Sequence, residues 1–483
     1  MDYISVTFYI FLLIAIVLYY IFPLKQRWIV LLSANIVFYA IAAREAIVVL
    51  ILMAIFSWIW GQGICRLEKS SIKVSIKRLC LISGIVLIVC PLFITKYSAF
   101  FLGLIGKSTT WQFIIPLGIS YYTLQIISYL VDIYKGKIEP ESNLLKYTLY
   151  LSFFPQVVQG PIARYSQMKE QLCQGHVFEE TKFVKGLHLI VWGFFLKMMI
   201  ADKAAIIVNE IFSNYEMYVG WFVIIGGVLY SLQLYADFLA CVTISQGVAG
   251  LFGIEVMDNF KHPYGATSVK EFWHRWHISL STWLRDYVYI PLGGNRKGSL
   301  FKYFNLMCTF IVSGMWHGAG YKYILWGMLH GMYQIVEDIT MPIRNLVWKI
   351  SIFEKVKELR RYIEIFITFT CVMLAWIVFR ADSLRAAIQM LINIFRVNNV
   401  WILFDGSLMK LGLSGKQIVV LCVSIGIMYL VSKLQQKICI RDYILKQNII
   451  VRWGIYIGSI LIVMVVGTYG YGFDAQAFIY GGF

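Results

Sequence analysis

Charged residues are scarce in this sequence: only 14% of its 483 residues are Asp, Glu, Lys or Arg, whereas 59% are hydrophobic. A water-soluble domain of this length needs a larger charged surface, so the deficit excludes a soluble protein and predicts that a bilayer is the main solvent. The formal net charge is +17, and Lys and Arg gather in short loops between apolar runs. That arrangement is typical of cytoplasmic loops and contact with anionic lipids, and we do not expect nucleic-acid binding.

Several motifs of metal sites and hydrolases are also missing. The nine cysteines occur singly, so neither a disulfide framework nor a thiolate metal site is indicated. There is no His-Glu-x-x-His motif and no Gly-x-Ser-x-Gly elbow, which argues against a zinc hydrolase and a serine-triad acyltransferase. Glu271 and His274 form one Glu-x-x-His, whereas a di-iron bundle needs two such motifs and further carboxylates. We therefore predict no metal site.

Long apolar runs, by contrast, are abundant. A spanning helix needs about 20 mostly apolar residues, and we count roughly eleven to thirteen candidates. They lie at 4–22, 28–44, 46–62, 79–95, 113–133, 183–200, 219–240, 302–317, 320–336, 362–379, 417–434 and 450–467. The first of these lacks the basic start and cleavage site of a signal peptide. The sequence predicts one all-α polytopic membrane domain over residues 1–483, with interfacial and re-entrant helices around a central cavity. Basic loops at 24–27 and 65–78 place the N-terminus outside the cytoplasm.

Two segments are unsuited to crossing the bilayer. Prolines interrupt the apolar run 153–161, which favours a broken or re-entrant element and a cavity wall. The segment 271–289 is amphipathic, with tryptophans and leucines on one face and polar residues on others, and predicts a helix lying in the membrane interface. The basic loop 295–297 after it suits phosphate groups of lipid or of a cytosolic ligand.

One histidine lies inside an apolar run, in Ser313-Gly-Met-Trp-His-Gly-Ala319. An ionisable side chain at membrane depth is costly, so His317 is a candidate functional residue, although a hydrogen-bonded core histidine is the alternative. Imidazole titrates near neutral pH, which suits a general base that removes a hydroxyl proton.

Several motifs together resemble the membrane-bound O-acyltransferases, most closely the alginate O-acetylation branch, with the D-alanyl transfer proteins of teichoic acid as cousins. The motifs are Pro116-Leu-Gly-Ile-Ser-Tyr121, Phe153-Phe-Pro-Gln156, Gly160-Pro-Ile-Ala-Arg164, Tyr235-Ala-Asp-Phe238, the run 272–287, Tyr289-Ile-Pro-Leu-Gly-Gly294, Met315-Trp-His-Gly-Ala319, Trp326-Gly-Met-Leu-His-Gly331 and Phe379-Arg-Ala-Asp-Ser383.

The resemblance implies that His317 is the catalytic histidine, the base for acyl transfer to a hydroxyl. Acyl transfer also needs an oxyanion stabiliser, for which backbone N–H groups near Gly318 and the Trp316 side chain are both candidates. For His330, in the Leu-His-Gly motif, it leaves a second active-site role and a structural role open. We expect further residues near these motifs to line the cavity or the path of the acyl donor: Trp316, Asp237, Trp273, His274, Arg275, Trp276, His277, Arg285 and Asp286.

The resemblance further implies a bacterial inner or plasma membrane enzyme without a tightly bound cofactor. It would take an acyl group, most simply acetyl, from acetyl-CoA or an acyl-carrier thioester in the cytosol. A membrane-anchored or exported partner would complete O-acetylation of an extracytoplasmic polysaccharide. D-Alanyl transfer to teichoic acid is an alternative, and a polysaccharide or lipid transporter is the rival class.

The acceptor is open for two reasons. After Asp237-Phe238 the chain reads Leu-Ala-Cys-Val-Thr243 where the alginate branch usually has a Ser-Gly-Tyr-Ser-Asp-like run. The composition, rich in Ile and Lys, also favours a low-GC bacterium and therefore a polymer other than alginate.

Overall fold

The computed structural model describes residues 3–107, 115–350, 357–469 and 478. The described residues are mainly helical and contain no β-strand. Twenty α-helices follow one another in these residues: α1 (Val6–Ile21), α2 (Arg27–Ala42), α3 (Ala46–Glu68), α4 (Val74–Leu104), α5 (Ile119–Tyr134), α6 (Leu144–Ser152), α7 (Phe154–Val157), α8 (Tyr165–Gln174), α9 (Glu180–Phe195), α10 (Asp202–Ser213), α11 (Trp221–Leu251), α12 (Val269–Arg275), α13 (Ile278–Leu284), α14 (Ser299–His317), α15 (Tyr321–Ile350), α16 (Lys357–Arg380), α17 (Leu384–Asn393), α18 (Gly415–Leu434), α19 (Ile440–Leu445) and α20 (Ile449–Val466).

Seven helices in the described part of the chain are long and apolar enough to cross a membrane. They are Ala46–Glu68, Val74–Gly103, Glu180–Ser213, Trp221–Leu251, Lys357–Arg380, Gly415–Leu434 and Ile449–Val466. The sequence predicts more spans than these seven. The difference arises because α1, α2 and α5 have only 16 residues each, and because α14 and α15 are less apolar than the seven helices. Both the helical class and the multi-pass membrane character are confirmed.

The backbone contacts divide the chain into two compact units. Of the described residues, the first unit comprises 3–107, 115–190 and 241–257, and the second comprises 191–240, 258–350, 357–469 and 478. Both boundaries fall inside a long helix, since residues 190 and 191 belong to α9 and residues 240 and 241 belong to α11.

In the first unit, the helical structure is interrupted near residue 153, as the two prolines of the run 153–161 predict. Helix α6 ends at Ser152, and the four-residue α7 starts at Phe154 with Pro155 in its first turn. Side chains form hydrogen bonds with backbone groups at this interruption. Asn35 Oδ1 accepts a hydrogen bond from the Phe154 N–H at 3.0 Å, and the Tyr3 hydroxyl donates one to the Phe154 carbonyl at 2.7 Å. Buried non-helical backbone persists because protein side chains satisfy it.

In the second unit, the predicted single helix over residues 271–289 is wrong. The structure has two helices, α12 and α13, separated at Trp276 and His277, and His277 adopts a left-handed φ of 44°. Asn259 replaces the missing helical turn, because its carbonyl accepts the Ile278 N–H at 3.0 Å and its side-chain oxygen accepts the Ser279 N–H at 2.9 Å.

The tryptophans of this segment pack into protein. Trp273, Trp276 and Trp283 are only 7%, 1% and 4% exposed. The amphipathic pattern therefore identified a buried face correctly, although that face is covered by the rest of the second unit and not by lipid.

Candidate active site

His317 is the last residue of α14 and is 2% exposed. Aromatic rings surround its imidazole: the centroid distances are 5.1 Å to Trp326, 5.4 Å to Phe379 and 4.9 Å to the neighbouring Trp316. The first two rings stand nearly perpendicular to the imidazole, at 87° and 82°. Such edge-to-face packing fixes the orientation of the ring in an apolar pocket.

Glycines bring α14 and α15 close together and so position this histidine. A Cβ on Gly314 would overlap the carbonyl oxygen of Tyr323, and a Cβ on Gly327 would overlap the carbonyl oxygen of Phe310. Small residues at a helix interface allow this approach in a membrane, where van der Waals packing drives helix association. His317 therefore faces the first turns of α15.

His330 lies on α15, one helical turn after Trp326, and is fully buried. The indole N–H of Trp273 donates a hydrogen bond of 3.2 Å to His330 Nδ1. Because an indole nitrogen is a donor only, Nδ1 must be the acceptor, and a neutral imidazole then carries its proton on Nε2. The helix α12 thus selects the tautomer of His330.

Trp326 links the two histidines. It is fully buried, and its ring centroid is 5.1 Å from that of His317 and 5.0 Å from that of His330. The Trp326 ring also stacks on Trp376, with a centroid distance of 5.7 Å and an interplanar angle of 23°. Sequence reasoning missed Trp326 as a site residue, although it begins the Trp-Gly-Met-Leu-His-Gly motif and occupies the position four residues before His330 on the same helical face.

A cavity of about 550 Å³ opens in the same unit. Its wall is formed by Ser268, Lys270, Trp273, His274, Ile278, Ser281, Thr282, Leu284, Arg285, Tyr289, Asn295, Lys302, Tyr303, Leu306, Thr309, Phe310, Ser313, Gln334, Glu337, Asp338, Met341 and Arg344. Ser313 lies one turn before His317 on α14, and Trp273 bonds His330, so the wall touches the surroundings of both histidines. The size suits a small-molecule ligand.

The family of this chain follows from comparison with known proteins. Residues 140–376 match the family model described as MBOAT, membrane-bound O-acyltransferase family. The probable alginate O-acetylase of Pseudomonas syringae pv. tomato is 31% identical over 431 residues, covering 87% of this chain and 79% of the relative. The chain belongs to the membrane-bound O-acyltransferase family. It is therefore a multi-pass membrane enzyme that transfers acyl groups to oxygen, and the resemblance seen in its motifs is confirmed.

Other relatives of this O-acyltransferase differ in the acceptor that their names state. The peptidoglycan O-acetyltransferase of Helicobacter pylori is 33% identical over 424 residues, which cover 79% of this chain and 75% of the relative. The teichoic acid D-alanyltransferase of Bacillus subtilis is 29% identical over 258 residues, 50% of this chain and 64% of the relative.

The structure brings three of the predicted lining residues to the cavity of the O-acyltransferase. Trp273, His274 and Arg285 are part of its wall. Asp286 lies beside them and pairs with Arg285 at 2.9 Å. Arg275 turns instead to Glu271 and to the backbone carbonyl of His262.

The other predicted residues lie elsewhere in the same unit. Trp276 is buried and stacks on Phe272 at 5.5 Å. His277 is fully buried against Phe238 at 4.8 Å and Trp316 at 6.1 Å, and burial lowers the pKa of His277 to about 3. This imidazole is therefore neutral at physiological pH, and its ring contact reaches the aromatic neighbour of His317.

Asp237 belongs to a buried charge cluster. Lys197 Nζ lies 2.8 Å from Asp237 Oδ1 and 3.0 Å from Asp202 Oδ1, and all three side chains are at most 5% exposed. The π-helical segment Leu196–Ala201 carries the lysine. Charges inside spanning helices persist only when they are paired, which these are. In the described part of the chain, no group of three His, Cys, Asp or Glu side chains could hold a metal ion.

Proposed function

We propose that this O-acyltransferase takes an acyl group, most simply acetyl, from a cytosolic thioester and passes it to a hydroxyl of an extracytoplasmic polysaccharide. The observation that carries the proposal is the contact between the cavity wall and the surroundings of His317. Ser313 in that wall precedes His317 by one helical turn, and Trp273 in the same wall bonds His330. A donor in the cavity would thus end close to the buried imidazole.

The chemistry of the wall supports a phosphate-bearing thioester such as acetyl-CoA. Four cationic side chains, Lys270, Arg285, Lys302 and Arg344, line the cavity together with apolar residues of α13 and α14. Arg and Lys recognise phosphate, whereas a pantetheine arm needs a mostly apolar channel with a few hydrogen-bonding groups. Three of these cations are partly neutralised: Lys302 pairs with Asp338 at 2.7 Å, Arg285 with Asp286 at 2.9 Å and Arg344 with Glu337 at 3.6 Å. We propose that Lys270 contacts phosphate together with Arg285, whose side chain is 55% exposed despite its carboxylate partner.

At the reacting centre, His317 would act as the general base. Its burial among aromatic rings disfavours the charged imidazolium, so the ring is available to accept the proton of the attacking hydroxyl. The same apolar surroundings exclude water, which protects the thioester from hydrolysis.

The acceptor is proposed by comparison. The relatives' names state alginate, peptidoglycan and teichoic acid, which are polymers of the cell surface. We therefore propose a bacterial cell membrane location with an extracytoplasmic N-terminus, and a membrane-anchored or exported partner that completes the transfer to the polymer. D-Alanyl transfer from a carrier protein is a second candidate, supported by the 29% identity to the B. subtilis enzyme.

The direct test follows release of free thiol from a thioester by the protein in lipid nanodiscs. Acetyl-CoA and a D-alanyl-loaded carrier protein are supplied separately, with peptidoglycan fragments, teichoic acid or an acetylatable exopolysaccharide as acceptor. We expect acceptor-dependent thiol release from acetyl-CoA, and its loss by about 10³-fold or more in His317→Ala, because the base is removed.

The matched control is His176→Ala, which removes a half-buried histidine of the first unit. It should retain wild-type turnover. Thiol release only from the D-alanyl-loaded carrier protein, and not from acetyl-CoA, would contradict acetylation and support D-alanylation. Full activity of His317→Ala would contradict the catalytic role of His317.

A further inference from the structure

Two neighbouring buried hydrogen-bond donors, on Trp326 and His330, have no acceptor among the residues that the structure describes. The indole N–H of Trp326 and the Nε2 atom of His330 are both fully buried, and neither meets a hydrogen-bond partner among the described residues. The Nε2 atom carries the imidazole proton because Nδ1 accepts from Trp273. Both groups are thus N–H donors in an apolar pocket.

Such donors are unusual in a protein interior. Buried polar groups almost always have a partner, because leaving one unsatisfied loses its hydration without compensation. The rings that carry these two N–H groups touch each other at 5.0 Å, and the Trp326 ring touches His317 at 5.1 Å. The Trp326 ring therefore lies against the imidazole that the proposed function makes the base, and the His330 ring lies against Trp326.

We infer that Trp326 and His330 donate hydrogen bonds to the oxyanion that forms during acyl transfer. The inference rests on the proposed function and adds two residues with a stated role to it. A site that prepares donors for a charge that exists only in the transition state leaves them without a permanent acceptor. Within the described part of the chain, the N–H groups of Trp326 and His330 have none.

Acyl transfer proceeds through one tetrahedral intermediate. The hydroxyl oxygen of the acceptor attacks the thioester carbonyl carbon and forms a C–O bond, while its proton moves to His317. The carbonyl π electrons move onto the oxygen, which becomes the oxyanion bonded by Trp326 and His330. The oxyanion then collapses, the C–S bond breaks with its electron pair on sulfur, and the imidazolium returns the proton to give a free thiol and an ester.

This assignment separates the two histidines by role. His330 Nδ1 is occupied by the Trp273 N–H and its Nε2 already carries a proton, so a neutral His330 cannot act as a base. His317 keeps that function. Trp273 acts as a positioning residue, since its indole fixes the tautomer in which His330 is a donor.

The test measures kcat and KM for Trp326→Phe, which keeps an aromatic ring and removes the N–H. We expect kcat to fall about 100-fold with KM changed by less than about threefold, because an oxyanion donor acts only in the transition state. Trp376→Phe is the matched control: Trp376 is equally buried and stacks on Trp326. It removes the same ring volume, and we expect a comparable loss of thermal stability with kcat within about fivefold of wild type.

His330 is tested by a pair of variants. His330→Gln retains an N–H near the position of Nε2, whereas His330→Met removes every donor. We expect the methionine variant to lose about 100-fold in kcat and the glutamine variant to recover about tenfold of that loss. The pH dependence of kcat/KM should be unchanged in both variants, because the proposed base, His317, is intact in each.

The assay uses whichever thioester the wild type turns over, so a failure of the acetyl-CoA proposal leaves the comparison intact. Wild-type kcat in Trp326→Phe would overturn the role of Trp326, as would equal losses of kcat in Trp326→Phe and Trp376→Phe. His330→Gln no more active than His330→Met, or a shifted pH profile, would overturn the role of His330.

Discussion

Lys197 donates a hydrogen bond of 2.8 Å to Asp237, and both side chains are at most 2% exposed inside spanning helices. Asp202 is the second carboxylate on the same ammonium group, at 3.0 Å. A buried ion pair of this kind is weak evidence for stability as a whole, but breaking it leaves an uncompensated charge that cannot reach water.

We therefore expect Lys197→Met to be strongly destabilising, by about 3–5 kcal/mol, because it leaves two buried carboxylates without their cation. Asp237→Asn should cost less, since Lys197 keeps Asp202. Thermal unfolding in a fixed detergent measures both, and the double variant provides the coupling energy between the two sites. Additive effects would show that the two side chains do not interact energetically.

The close approach of α14 and α15 makes a second prediction. Gly314→Ala and Gly327→Ala each place a methyl group against a backbone carbonyl of the opposite helix, of Tyr323 and Phe310 respectively. We expect either change to separate the helices, lower the unfolding temperature and reduce turnover, because His317 and His330 then lose their relative position.

Gly320→Ala is the control for this pair. A Cβ at Gly320 meets only a Tyr323 ring carbon at 3.8 Å, an ordinary contact. It should leave turnover and unfolding temperature near wild type. Equal damage from all three substitutions would mean that the sensitivity lies in the α14–α15 connection and not in helix packing.

Glu271 makes stability depend on pH. Burial by itself would raise the pKa of the Glu271 carboxyl, but hydrogen bonds from the Thr267 N–H at 2.7 Å and hydroxyl at 2.8 Å, together with Arg275, hold it below the ordinary value. A depressed folded-state pKa stabilises the protein above the pKa of the unfolded chain, and this contribution is lost as pH falls through the folded-state value.

Glu271→Gln should therefore lower stability near neutral pH and make it less dependent on pH in the acidic range. The effect is at most about 1 kcal/mol, since the carboxylate and its arginine partner are only partly buried. Unfolding temperatures measured from pH 7 down to pH 3.5 test it. Parallel pH curves for wild type and variant would contradict the assignment to Glu271.

Arg285 is predicted to bind the phosphates of the donor. Arg285→Gln should raise KM for acetyl-CoA about tenfold with little change in kcat, because the contact is remote from the reacting carbonyl. Acetyl-pantetheine, which lacks the nucleotide phosphates, should show no change in KM. Lys261→Gln, at an exposed position outside the cavity wall, is the control. An equal rise in KM for both donors would place the effect of Arg285 elsewhere than at phosphate.

The candidate catalytic motifs could be recognised in the sequence because each places residues in an apolar segment that an ordinary apolar helix does not need. His317 and His330 stand out as ionisable groups at membrane depth, and the prolines around residue 155 reveal a break in the chain. Helical class and membrane character followed from composition alone, since apolar content and run length decide the solvent of a segment.

Contacts between residues distant in the sequence could not be predicted from it. The helical periodicity of residues 271–289 hides the break at Trp276 and His277, because Asn259 provides the hydrogen bonds that continue the chain across it. Asp237 and Lys197 are 40 positions apart, and no local sequence pattern predicts that they form a pair.

The sequence by itself thus determined that the chain is a helical membrane protein, and it indicated His317 as the candidate base. Both conclusions depend only on composition and local pattern. Only the tertiary structure decided that Trp273 fixes the tautomer of His330 and that Trp326 lies between the two histidines. Hydrogen bonds and ring contacts of this kind join α12, α14 and α15, and their geometry exists only after the helices have packed.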